Sequence, residues 1–116
     1  MEKTSLTALA DEQLAVARQA PAGRAAHTIH GGHDHMLRQT VIALLAGREL
    51  AEHESPGEAT LQVLRGHVRL TAGEETWDGG AGDHVTIPPI RHALAAVDDS
   101  AVLLTAAGQA FRATSP

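Results

Sequence analysis

From Gly23 onward, no apolar segment of this chain runs far before glycine, proline or an acidic pair interrupts it. The breaks fall at Gly31-Gly32, Gly47, Pro56-Gly57, Gly66, Gly73, the Gly79–Gly82 cluster, Pro88-Pro89 and Asp98-Asp99. An amphipathic helix needs roughly ten or more uninterrupted residues, whereas a strand needs about four to eight. The punctuation therefore admits strands, at residues 24–30, 36–46, 50–54, 60–64, 68–72, 75–78, 84–87, 92–97 and 101–107. Nine or ten short strands with turn residues between them predict an all-β sandwich or barrel, and a jelly roll is one way to manage their edges. Ahead of Gly23 the period changes. Leu6, Leu9, Ala10, Gln13, Leu14 and Ala17 share one face at helical spacing, so residues 5–20 form a helix. Thr4 or Ser5 caps its start, and Pro21 with Gly23 ends it. That helix packs on a sheet or on a partner chain.

At 116 residues the chain is expected to be one domain, with residues 1–23 as helix and connector and 24–116 as the strand unit. It has one Phe, one Trp and no Tyr, so the core must be built from Leu, Val, Ile and Ala. Base-stacking platforms for single-stranded nucleic acid are excluded by the same shortage. The net charge is −5 and no basic stripe occurs, so no nucleic-acid partner is expected. Without cysteine there are no disulfides, no thiolate chemistry and no Cys-ligated zinc. The N-terminus is acidic where a signal peptide is apolar, and no run approaches the ~18 apolar residues of a membrane span. The expectation is a cytoplasmic protein with no membrane partner. Eight histidines give a side-chain charge that changes in mild acid, their ordinary pKa being about 6.5.

Two glycine-bounded segments carry a family pattern. Gly47, five residues and His53, closing at Gly66, follow the spacing of one motif. Gly82, Asp83, Pro88 and His92 follow the spacing of a second, with His92 one residue nearer the proline than usual. Over residues 36–107 the chain resembles the small single-domain cupins, and residues 67–81 are the short spacer typical of them. The resemblance implies a cupin-type jelly-roll β-barrel with an N-terminal α-helix, a small-molecule ligand in its interior, and a homodimer. It also implies a divalent ion (iron, manganese, nickel or zinc) or, if the ligand set has decayed, none.

The departures bear on that last choice. The family's second histidine would fall at Ser55 and its glutamate at Ala59. His53 and His92 remain as candidate metal ligands, and two imidazoles alone make a weak divalent site. Weaker candidates are Glu58, one step along its strand and so on the opposite face unless the turn shifts the register, and His33 and His35 of the "HGGHDH" loop. Arg38, Gln39 and Arg91 are read as strand ends in water, Gln62 as outward-facing, Trp77 as packing, and His27, His30, His67 and His84 as surface or interface.

Three functions follow. The first is a small-molecule-binding cupin with a degenerate metal site, of sensory or regulatory kind. The second is a metal-dependent enzyme of dioxygenase or isomerase type, with a non-standard third ligand beside His53 and His92. The third is a chiefly structural dimerisation module. Catalytic residues and substrate are not assignable from the sequence.

Overall fold

A computed structural model describes residues 1–53 and 57–108, the side chains of Glu52 and His53 excepted. Helix α1 (Leu6–Gln19) is capped by Ser5, whose hydroxyl accepts the Ala8 N–H at 3.2 Å. It ends at Ala20, which is extended because the residue before a proline is pushed out of the helical region. Nine strands follow: β1 (Arg24–His30), β2 (Leu37–Leu44), β3 (Glu49–His53), β4 (Glu58–Arg65), β5 (His67–Ala72), β6 (Glu75–Gly80), β7 (His84–Thr86), β8 (His92–Ala96) and β9 (Ser100–Ala107). Each coincides with a segment expected from the punctuation.

The strands form two antiparallel sheets, a five-stranded one in the order β1-β2-β9-β4-β7 and a four-stranded one in the order β3-β8-β5-β6. Among the described residues no hydrogen-bonded ladder joins them, so the closed barrel expected from the resemblance is here a pair of facing sheets. Alternation sets what lies between them. Ala59, Leu61 and Val63 of β4, Val68 and Leu70 of β5, Leu94 and Ala96 of β8, and Val102 of β9 are buried in one aliphatic cluster. The other face of the larger sheet is also covered. Ala10, Leu14 and Ala17 of α1 pack with Ala43 and Ala101, and Leu9 packs with Val41 and Leu103.

The connections place the ends of the strands. β1 to β2, β3 to β4, β5 to β6 and β7 to β8 all reverse at one end of the molecule, called the mouth below; the remaining reversals lie at the other end. The far end is tightly closed. Gly66 alone links β4 to β5, with φ at +82°. Beside it, buried Ser100 accepts the His67 N–H at 3.0 Å and lies 2.7 Å from the Asp98 carbonyl, to which its hydroxyl can donate. A Cβ on Gly66 would collide with the Asp99 carbonyl and the Ser100 hydroxyl, whereas one on Gly47, also left-handed at +83°, would meet nothing within 4 Å.

Gly47→Ala should therefore cost only the left-handed backbone penalty, about 1–2 kcal/mol. Gly66→Ala should add overpacking of about 1–3 kcal/mol. Urea denaturation of the two variants side by side checks the order; equal losses would contradict this account of the corner.

Candidate functional site

Strand pairing at the mouth gathers side chains that are remote in sequence. In the smaller sheet, Glu75 lies opposite Ala72, Ala72 opposite His92, and His92 opposite His53, so one row crosses β6, β5, β8 and β3. The last pairing depends on a bulge. Leu50 faces Leu94, and an unbroken register would then set Glu52 against His92; one extra residue in β3 brings His53 there instead. The side chain of His53 lies outside the described residues, as does Ser55.

His92 is 4% exposed. Its Nδ1 lies 2.9 Å from the carbonyl oxygen of Ile90. A carbonyl only accepts, so Nδ1 carries the proton and Nε2 is the acceptor nitrogen of the neutral ring. The preceding loop sets this up. Pro88 and Pro89 restrict the backbone, and the Ile90 N–H donates to the Pro88 carbonyl at 2.8 Å. Arg91 is exposed, while the adjacent His92 is buried.

The other expected site residues are placed as follows. Ala59, at the family's glutamate position, is 5% exposed and in the core between the sheets. Glu58 pairs with Ala107 and is exposed, on the opposite face of β4 from Ala59. His33 and His35 lie exposed in the β1–β2 loop. There the His35 Nδ1 is 3.2 Å from the Asp34 carboxylate and its ring meets that of His30 edge-on at 5.0 Å. Gln39 donates to the Thr105 hydroxyl at 3.2 Å and Arg38 is exposed. Gln62, opposite His84, is half-buried on the reverse face from Leu61 and Val63. Trp77 is partly buried against the core, its ring lying over Gly79. Among the described residues, no group of three or more His, Asp or Glu side chains is arranged to hold a metal ion.

Among the described residues, two cavities open at the mouth. One of about 310 Å³ runs past Glu58, Ala59, Thr60, Thr105 and Ala106. The other, about 200 Å³, lies between Leu70, Ala72 and Trp77 on one sheet and Val85 and Pro88 on the other side, with Glu75 in its lining. Sequence reasoning passed over Glu75. The two-residue turn Gly73-Glu74 marks its opposition to Ala72, but the step from Ala72 to His92 depends on a register no local residue announces.

No protein-family model matches the chain, and neither does any curated protein. Solved structures do. A conserved protein of unknown function from Streptococcus pyogenes is 30% identical, with a TM-score of 0.68 over 76% of each chain. An RmlC-like cupin protein from Desulfovibrio desulfuricans is 25% identical, with a TM-score of 0.63 over 72% of this chain and 81% of its own. The chain belongs to the cupin superfamily. A salicylate 1,2-dioxygenase from Pseudaminobacter salicylatoxidans aligns with this cupin at a TM-score of 0.75 and 21% identity, a likeness of fold. It covers 91% of the cupin described here, which spans 35% of that enzyme. No helix among the described residues is long and apolar enough to cross a membrane.

In long-range proton–nitrogen NMR spectra of the neutral ring, Nδ1 of His92 should appear protonated and Nε2 unprotonated. The opposite tautomer would remove the Ile90 hydrogen bond from the description of the site.

Proposed function

We propose that this cupin binds a small molecule at the mouth of a jelly-roll container whose metal position is degenerate. The observation that carries the reading is the contrast between two interior positions. His92 is buried with its ring oriented by the Ile90 carbonyl, while the place of the family's carboxylate is filled by the methyl of Ala59. A buried, oriented imidazole set among aliphatic walls is a polar handle of the kind small-molecule sites use. The described donors do not fit a divalent ion. Such sites take three or four protein ligands, and here an alanine replaces the carboxylate. A binder without completed metal chemistry suits a sensory or regulatory role.

A second reading, a metal-dependent enzyme of dioxygenase or isomerase type, is favoured by the opposition of His53 and His92 across β3 and β8. Those two residues would hold the ion, and Glu58, His33 or His35 would have to supply the third donor. Glu58 is exposed on the reverse face of its strand, and both loop histidines are exposed, which weighs against it.

Protein purified without chelator and without a histidine tag should carry no stoichiometric first-row metal, and its melting temperature should not fall with EDTA. Small molecules that raise the melting temperature should lose that effect in His92→Gln, which retains an N–H for Ile90. Stoichiometric metal lost in the same variant would overturn the degenerate site and support the enzyme reading.

Restoring the carboxylate tests the degenerate position directly. Ala59→Glu should be destabilised in chelator, because it places a charge among apolar groups. It should then regain about 2.7 kcal/mol when manganese or zinc is supplied at a hundredfold Kd. A wild-type chain stabilised as much by the same ions would show that the position is not degenerate.

A further inference from the structure

We infer that the cavity beside Glu75 is a subsite for a small organic cation with an apolar body. This deepens the small-molecule reading above and rests on it. The cavity is about 200 Å³, below the ~300–1,000 Å³ of drug-sized sites, so its occupant is small. Its walls are apolar, from Leu70, Ala72, Trp77, Val85 and Pro88, and the only charged side chain in its lining is Glu75. Three aspartates elsewhere are paired with arginine, Asp11 with Arg65, Asp78 with Arg69 and Asp99 with Arg18. Glu75 makes no ion pair among the described residues.

The chemistry of an occupant follows from that lining. An anion would meet a carboxylate with no cation in the lining to offset it, in a chain of net charge −5. A neutral apolar molecule would fill the walls and leave the carboxylate unused. A cation with an apolar body satisfies both, and indole is the side chain to which organic cations are most strongly drawn. Register places the subsite beside the row that holds His92: Ala72 stands between Glu75 and His92 across β6, β5 and β8.

Trp77 is the sole tryptophan, so its fluorescence reads this cavity directly. The test titrates the full chain with choline and with 3,3-dimethyl-1-butanol, its neutral counterpart of the same shape. Choline should give a saturable change at a Kd about tenfold lower than the alcohol, an advantage that weakens as salt is raised. Glu75→Gln should bring choline to the affinity of the alcohol and leave the alcohol unchanged, while Glu74→Gln in the adjacent turn should alter neither. Equal affinities in the wild type, or a choline preference that survives Glu75→Gln, would overturn the cation subsite and leave the small-molecule reading standing. Silence of Trp77 toward both probes would also overturn it. The broader reading would then be judged by whether other compounds stabilise the wild type and not His92→Gln.

Discussion

Strand β9 is the member on which the rest of the structure depends. It lies at the centre of the larger sheet, hydrogen-bonded to β2 on one side and β4 on the other. Its two faces belong to different cores. Val102 and Ala106 point into the space between the sheets, and Ala101 and Leu103 point at α1. Burial on both sides requires an apolar residue at nearly every step, and "SAVLLTAA" is such a run. The one polar residue at its start, Ser100, is buried with its hydroxyl satisfied by His67 and Asp98, so burying it leaves nothing unpaired.

Double burial of the larger sheet also decides where chemistry can be. The helix covers the far part of one face, and the smaller sheet covers the other, so polar groups collect where strands end. At the far end single-residue and short connections close the chain tightly, with Gly66 against Asp99 and Ser100. At the mouth the residues facing inward on several strands are alanines: Ala59, Ala72 and Ala106. Small side chains at the end of an otherwise close-packed aliphatic core leave room, and the two cavities lie there. The open mouth is thus a consequence of residue size along otherwise ordinary strands.

The parts of this arrangement legible in the sequence are those set by local rules. Glycine and proline punctuation located all nine strands, and 3.6-residue spacing located the helix, because turn and helix preferences act over a few neighbouring residues. Alternation correctly placed Gln62 outside and Leu61 and Val63 inside. What could not be read was pairing between distant strands. The bulge that exchanges Glu52 for His53 opposite His92 leaves no mark in composition, and the row from Glu75 to His92 crosses three strands of unrelated sequence. Closure was overstated for a related reason. Family spacing speaks to the order of strands, whereas hydrogen bonding between sheet edges depends on how far each sheet twists.

His92, one of the two histidines that sequence spacing singled out, is buried with a partner that the spacing does not contain. A buried polar ring needs a partner, and the carbonyl of Ile90 supplies one that accepts only. That bond assigns the proton of the neutral ring to Nδ1. In a metal centre the same bond would orient a ligand toward an ion. On the binder reading proposed above, with the methyl of Ala59 at the carboxylate position, it would instead orient the ring for an organic ligand. One backbone carbonyl would therefore serve either chemistry, so the orientation of His92 does not by itself distinguish an ion from an organic ligand.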